Sequence, residues 1–193
     1  MKVISDLLIT ALYTVFVQNL VMSSGLGMSE AMRISPRPNT FIKLAVMISG
    51  FSTVTSVLCY LVSVHVGGYS HAIRALIYGG VLTGVYFIVA WVVNIITGDK
   101  ETMGILGIAA LNTLVFAVPY INDSAAYSLA DSIGSGLGAG FAFILAAALI
   151  GSGARAIEKN DRIPRVFKGT PAMFFYVAMI SLGFVGFTGT QIF

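Results

Sequence analysis

Three amide side chains are the groups best placed to do chemistry inside the apolar stretches of this sequence. Gln18, Asn19 and Asn112 each offer a hydrogen-bond acceptor and two donors. An amide in hydrocarbon must find a partner, so these groups either bond a neighbouring helix or line a polar site. Both interpretations stay open, and we take the three residues as candidates for a substrate or ion pathway.

The elements that carry these amides are long and almost free of charge. The chain has 193 residues, of which 57% are hydrophobic and 10% are charged, whereas soluble domains carry about 25% charged residues. Six windows of at least 21 residues contain no Asp, Glu, Lys or Arg, and about 20 apolar residues are needed for a helix to cross a bilayer. The windows are Leu7–Ser29, Leu44–Ile73, Ala75–Gly98, Thr102–Asn122, Ser132–Ala154 and Gly169–Phe193.

We therefore predict an all-α integral membrane protein with a single transmembrane domain over residues 1–193. Its first window is interpreted as a retained span and not a signal peptide, because apolar windows continue to the end of the chain. The lone Cys59 lies within the second window and is expected to be a packing residue. The six predicted spans are approximately 4–23, 44–66, 72–97, 103–121, 132–153 and 170–190.

Basic residues indicate the orientation of these spans. Nine Lys and Arg residues lie in the first, third and fifth connections, and two lie on the opposite side. The positive-inside rule places the odd connections in the cytoplasm of a cell inner (plasma) membrane, with both termini outside. This placement also explains the net charge of +3 without a nucleic-acid partner. The nine are Arg33, Arg37, Lys43, Lys100, Arg155, Lys159, Arg162, Arg165 and Lys168, and the two are Lys2 and Arg74.

The chain divides into two halves of three spans, approximately 1–98 and 99–193, which start from opposite sides of the membrane. Each half begins with a span that carries Asn closely followed by Leu-Val, at Asn19 and at Asn112. Interrupted helices at matching places in two inverted halves are a sequence pointer to a functional site. We predict two inverted three-helix repeats with broken first and fourth helices, and a site near the midplane between them.

Glycines at helical spacing indicate close helix packing, either within the chain or against other subunits. The fifth span contains the pairs Gly134/Gly138 and Gly136/Gly140, and the sixth contains Gly183, Gly186 and Gly189. Small residues four positions apart let another helix approach closely. No nucleotide-binding, nucleophile or metal-ligand motif is recognisable, so the sequence identifies no catalytic residue, and we predict no metal site.

Three segments of the sequence form a distinctive pattern. A basic residue and glycine at Lys168-Gly169 precede a Met-Ser-Leu-rich helix that ends in a Gly-Phe-Thr-Gly pattern at Gly186–Gly189. The other two segments are Leu106–Ile108 and Asn19–Val21. In these segments the sequence resembles the RnfA/NqrE family, the membrane subunits of Rnf (Rsx) and sodium-pumping NADH:quinone oxidoreductase complexes, and the likeness covers most of the chain at low identity.

The resemblance implies a cysteine on each broken helix, and this sequence departs from that pattern. Leu26-Gly27-Met28-Ser29 resembles the first family motif, with Ser29 in the place of the cysteine. On the fourth span, one alignment places Thr113 there and another places Ala117. Because iron–sulfur clusters are held by thiolates, we expect this chain to bind no cofactor alone.

The resemblance predicts a membrane subunit of an ion-translocating electron-transport complex, with any iron–sulfur cluster or flavin on partner subunits. The expected partners are other membrane subunits, including a paralogue, the lipid bilayer, and a cytoplasmic protein at the Arg155–Lys168 loop. Pathway residues would be Gln18, Asn19, Asn112, Thr113 and Ser29. The alternatives are a small stand-alone transporter or channel with a midplane site at the broken helices, and a purely structural assembly factor.

Overall fold

The protein is described by a computed structural model that covers residues 2–35 and 38–187. These residues are almost entirely helical and contain no strand, which confirms the predicted all-α class. Within them, six helical stretches are long and apolar enough to cross a membrane. The helices are α1 (Lys2–Phe16), α2 (Leu20–Ser24), α3 (Met28–Ile34), α4 (Pro38–Val66), α5 (His71–Ile96), α6 (Lys100–Ala110), α7 (Thr113–Ser124), α8 (Leu129–Lys159) and α9 (Thr170–Phe187).

The first and fourth predicted spans are each interrupted. The first consists of α1 and α2, separated at residues 17–19, and the fourth consists of α6 and α7, separated at Leu111 and Asn112. Both interruptions fall at the asparagines that the sequence singled out. Some predicted features lie outside the described residues. They are Arg37 and residues 188–190 of the sixth predicted span, which include Gly189.

Two helices are longer than predicted. α4 begins at Pro38 and α8 covers Leu129–Lys159, beyond the predicted limits of 44–66 and 132–153. The prediction ended each span at its first charge, whereas both helices include charged residues beyond these limits. Ser128 and Asp131 form a cap at the start of α8, since each side chain bonds the other residue's backbone N–H.

The centre of the fold is α8, and its glycines let α1 lie directly against it. A Cβ atom added at Gly138 would lie 2.8 Å from the carbonyl oxygen of Ala11, and one at Gly134 would overlap the carbonyl oxygen of Leu7. The Gly134/Gly138 pair therefore packs against a helix of the same chain and not against another subunit.

The second glycine pair of α8 lies against α4. A Cβ atom at Gly136 would lie 2.5 Å from the Cα atom of Thr53, and one at Gly140 would overlap the side chain of Ser49. The helix α8 is thus clamped between α1 and α4, and α4 in turn packs against α6 and α7. This arrangement fixes both interrupted helices against the two long helices α4 and α8.

The helices α5 and α9 lie at the periphery and are the least buried of the six stretches. On α9, a Cβ atom at Gly183 or Gly186 would meet nothing within 4 Å. These glycines therefore differ from those of α8, because nothing among the described residues packs against them.

We predict that Gly136→Ala destabilises the protein and that the matched control Gly183→Ala does not. The new methyl group at 136 overlaps α4 backbone, and such overpacking costs about 1–3 kcal/mol. At 183 the methyl group meets open space and gains helix propensity. Free energies of unfolding from SDS titrations of the purified chain measure both. Equal stability of the two variants would contradict the packing described.

Candidate functional site

Asn19 stabilises the break between α1 and α2 from both sides. Its Oδ1 accepts a hydrogen bond from the backbone N–H of Met22 at 3.2 Å, and its Nδ2 donates to the carbonyl oxygen of Val15 at 2.9 Å. The residue is fully buried, and Nδ2 also lies 3.5 Å from the carbonyl oxygen of Ala142 on α8. One side chain therefore replaces backbone hydrogen bonds that the interruption removes.

Asn112 caps the second half of the other interrupted helix. Its Oδ1 accepts from the backbone N–H of Leu114 at 2.9 Å. The residue is 2% exposed, and its Nδ2 has no hydrogen-bond partner among the described residues. Asn112 thus differs from Asn19 in keeping a buried donor that nothing in this part of the chain satisfies.

The two breaks meet each other. The backbone N–H of Gly27 donates to Oγ1 of Thr113 at 3.0 Å. A Cβ atom at Gly27 would lie 2.8 Å from Oδ1 of Asn112. The turn after α2 therefore packs directly on the first residues of α7, which joins the start of one half of the chain to the start of the other.

Two glycines shape this junction. Gly27 permits the close approach to α7, and Gly25 permits a tight turn after α2. Gly25 and Gly27 adopt φ angles of +71° and +74°, in the left-handed region that side chains disfavour. Gly25 ends α2, and a Cβ atom there would meet nothing within 4 Å. Gly27 needs its missing side chain for a second reason, which is its contact with Asn112.

Ser29 lies two residues beyond this junction and is exposed. Its hydroxyl donates to Oε2 of Glu30 at 2.7 Å. Ser29 also lines a cavity of 780 Å³ together with Arg33, Lys168 and residues of α8 and α9. Thr113 is exposed as well, so both hydroxyl-bearing candidates are accessible from outside the chain.

The structure also shows where Gln18 lies, and where the two possible replacements of the second cysteine, Thr113 and Ala117, lie. Gln18 is half-buried within the first break, where its backbone N–H bonds the carbonyl oxygen of Tyr13 at 2.8 Å. Of the two residues that could replace the second cysteine, Thr113 contacts Gly27, while Ala117 lies one turn further along α7. The structure therefore brings Asn112 and Thr113 together with the Gly27 turn, whereas Asn19 caps the neighbouring break.

No thiol lies at this junction. The single Cys59 is buried on α4, 2% exposed, and packs with Val66 and Tyr78. This cluster lies near the C-terminal end of α4. Ser29 instead lines a cavity together with residues at the C-terminal end of α8. Within residues 2–35 and 38–187, no group of three or more His, Cys, Asp and Glu side chains could hold a metal ion.

Sequence reasoning found the asparagines but missed Gly27 as a functional position. An isolated polar residue in an apolar stretch is visible in one sequence, whereas the Gly27–Thr113 contact joins residues 86 positions apart. The available signal was the Gly25-Leu26-Gly27 spacing, which predicts a turn without revealing what it contacts.

Comparisons with known proteins cover nearly the whole chain. The sequence model of the family described as "Rnf-Nqr subunit, membrane protein" matches residues 7–191. An ion-translocating oxidoreductase complex subunit of Pasteurella multocida is 26% identical, over 96% of this chain and 98% of that protein. The subunit of the same name from Rhodobacter capsulatus is 28% identical, over 95% and 97%. A Na(+)-translocating NADH-quinone reductase subunit of Pseudomonas aeruginosa is 27% identical, over 92% and 95%.

We predict that Gly27→Ala destabilises the protein more than Gly25→Ala does. Both changes force a side chain into the left-handed region, at about 1–2 kcal/mol each. Only Gly27→Ala also drives a methyl group into Asn112, which adds about 1–3 kcal/mol.

A double-mutant cycle in SDS unfolding isolates the contact. Asn112→Ser keeps a capping oxygen and removes the nearest side-chain atoms, so it should restore part of the stability that Gly27→Ala loses. Additive effects of the two changes would show that the residues do not touch.

Proposed function

Because the chain belongs to the Rnf-Nqr family of membrane subunits, we propose that it serves as a membrane subunit of an ion-translocating oxidoreductase complex. Its relatives over more than nine-tenths of the chain are named as subunits of such complexes. In this proposal the chain is not itself the redox carrier. It shapes an ion path and positions partner subunits that hold the iron–sulfur cluster or flavin.

The observation that carries this proposal is the junction of the two interrupted helices. Gly27 donates to Thr113 there, and the exposed Ser29 and Thr113 offer hydroxyl groups where the family resemblance implies cysteines. Hydroxyls are poor iron–sulfur ligands compared with thiolates. A cluster at this position would consequently depend on thiolates from a partner.

The unsatisfied amide of Asn112 supports an interaction at the same junction. A buried donor without a partner is costly, at about 1–3 kcal/mol, and Nδ2 of Asn112 is such a donor. An acceptor from a partner protein, or a water molecule in the ion path, would satisfy it. Asn112, Thr113 and Ser29 would form this part of the path, with Asn19 and Gln18 in the neighbouring break.

Reciprocal packing supports the proposed inverted repeats of about 1–98 and 99–193. The leading helix of the first half, α1, packs on α8 of the second, while α6 and α7, which lead the second half, pack on α4 of the first. The two middle helices, α4 and α8, pack on each other. A pseudo-twofold axis between α4 and α8 would relate these contacts.

The charge distribution supports the proposed orientation in a plasma or inner membrane. Nine of the eleven Lys and Arg residues fall within residues 33–43, at position 100 or within residues 155–168, whereas Arg74 lies at the other end and is paired with Asp123. Both termini would then face outward. The cavity lined by Ser29, Arg33 and Lys168 would open to the cytoplasm, beside the Arg155–Lys168 loop that we propose as a docking surface for a cytoplasmic partner.

Partner membrane subunits have exposed helix faces available to them. The side chains of Phe174, Phe175 and Met179 on α9 are each more than 60% exposed, and the glycines of the same helix are open. Lipid covers such faces in a lone chain, and another helix can cover them in a complex. The partner that we propose at the junction is a paralogue that carries the cysteines missing here.

The proposal is tested by native purification with an assay of iron and flavin. We expect other membrane subunits to co-elute, iron to be present, and the iron content to be unchanged in Cys59→Ala, since that thiol is buried away from the junction. Identification of the co-eluting proteins by mass spectrometry and iron quantification on the same sample give the result.

Two outcomes would contradict the proposal. Loss of iron in Cys59→Ala, with the complex intact, would make Cys59 a ligand. A chain that purifies without other subunits and transports an ion or solute alone in liposomes would instead support the stand-alone transporter.

A further inference from the structure

The cavity that Ser29 lines combines charged and apolar side chains. It has a volume of 780 Å³ and is bounded by α3, the C-terminal end of α8 and the N-terminal end of α9. Clefts of about 300–1,000 Å³ are large enough to hold a small molecule. Nothing in the function proposed above assigns an occupant to this cavity.

The cavity lies at the level where the apolar spans end. Three of the charge-free windows have an end in its lining, at Ser29, Ala154 and Gly169. The residue beyond each of these ends is charged. A change from apolar to charged sequence marks the boundary between hydrocarbon and water, which is the depth of phospholipid headgroups.

Two basic side chains of the lining are available to an anion. Arg33 is exposed and forms no salt bridge among the described residues. Nζ of Lys168 lies 3.5 Å from a carboxylate oxygen of Asp161, whose side chain is fully exposed. Because water screens such a pair, it contributes little to stability. The Lys168 ammonium group can therefore exchange this partner for another anion.

The surroundings of the cavity are basic overall. Residues 29–35 and 154–173 contain its whole lining, and they hold six Lys and Arg residues against three Asp and Glu residues. Within the described lining the one acid is Glu158, which is exposed. An excess of basic residues at the membrane surface attracts anionic lipids.

The turn into α9 adds backbone donors to the same lining. Gly169 and Thr170 both line the cavity, and α9 begins at Thr170. The first N–H groups of a helix have no acceptor within the helix, and they favour an anion such as a phosphate. A Cβ atom at Gly169 would meet nothing within 4 Å, so this turn is open to a ligand.

The rest of the lining is mainly apolar. Met173 belongs to the hydrophobic core, and Met32, Ala154 and Ile157 are half-buried against that core. Methionine side chains are unbranched and flexible, so they adapt to irregular apolar partners. A hydrocarbon chain would be covered by these side chains, whereas a free phosphate would leave them in water.

We propose that this cavity binds an anionic phospholipid, with its phosphate at Arg33, Lys168 and the start of α9 and part of an acyl chain along Met32 and Met173. Basic pockets between membrane helices are suited to anionic headgroups. Because the lining comes from three helices, the bound lipid would hold α3, α8 and α9 together and stabilise the folded chain.

A helix of another subunit fits this cavity less well. An apolar helix would cover Arg33 and Lys168 without supplying an anion, and burying a charge without a partner is costly. A phospholipid headgroup supplies the anion and stays partly in water. The inference requires only that α9 crosses the bilayer, so it does not rest on the redox role or the orientation proposed above.

The test measures thermal unfolding of the full purified chain in dodecyl maltoside micelles to which one lipid is added. Dioleoylphosphatidylglycerol should raise the unfolding temperature of the wild type by several degrees, because a ligand that binds the folded state stabilises it. Dioleoylphosphatidylcholine, which has the same acyl chains and no net charge, should raise it less. Soluble glycerol phosphate, which lacks acyl chains, should have little effect.

Two variants each remove a positive charge from the lining. Arg33→Gln and Lys168→Gln should raise the phosphatidylglycerol concentration for half-maximal stabilisation about fivefold, which is the typical contribution of one basic residue near an anionic lipid surface. The matched control Arg162→Gln removes the same charge from the same loop as Lys168 but outside the lining. It should leave this concentration almost unchanged.

A variant with the opposite effect keeps the inference falsifiable if the other variants fold poorly. Glu158→Gln removes the one negative charge of the described lining. It should therefore lower the half-maximal concentration of phosphatidylglycerol, because the carboxylate repels the phosphate. A folding defect would not produce tighter lipid binding.

Three results would each overturn the assignment. Equal stabilisation by phosphatidylglycerol and phosphatidylcholine would show that the cavity does not recognise charge. Equal weakening in Lys168→Gln and Arg162→Gln would place the lipid on the loop as a whole. Equal stabilisation by glycerol phosphate and phosphatidylglycerol would mean that the site takes a free phosphate. None of these results depends on which subunits co-elute with the chain.

Discussion

The fold depends on one constraint, which is that a helix interrupted inside a membrane must still satisfy its backbone groups. Asn19 meets this constraint by bonding the carbonyl oxygen of Val15 and the N–H of Met22 with one side chain. Asn112 satisfies a backbone N–H at the start of α7 in the same way, by accepting a hydrogen bond from Leu114. Without these amides, each break would expose unpaired backbone groups to hydrocarbon, and a continuous helix would be favoured.

Packing against α8 and α4 then determines where the two breaks lie relative to each other. The glycines of α8 bring α1 and α4 close enough for backbone contact, and α4 holds α6 and α7. The Gly27 turn and Thr113 meet as a result. The two ends of the molecule also differ in chemistry. The cavity at Ser29 is lined by the charged residues Arg33, Lys168 and Glu158, whereas a cavity of 380 Å³ at Asn122 is lined mainly by residues with side-chain oxygen atoms.

The sequence was sufficient to predict the spans and the breaks, because each rests on local patterns. Charge-free windows identify spans without any tertiary information, and Asn19 and Asn112 stand out as amides in apolar stretches. The helix limits were less accurate, since α8 begins directly after its Ser128 cap and includes charged residues up to Lys159. Gly27 could not be recognised, because its partner Thr113 is distant in sequence.

The central claim is that two interrupted helices meet at Gly27 and Thr113, and an electron cryo-microscopy map of the native complex tests it most directly. The account predicts helix breaks at Asn19 and Asn112, with the Gly27 nitrogen within hydrogen-bonding distance of Oγ1 of Thr113. A continuous helix through either asparagine, or a separation that lets lipid or another chain lie between Gly27 and Thr113, would contradict it.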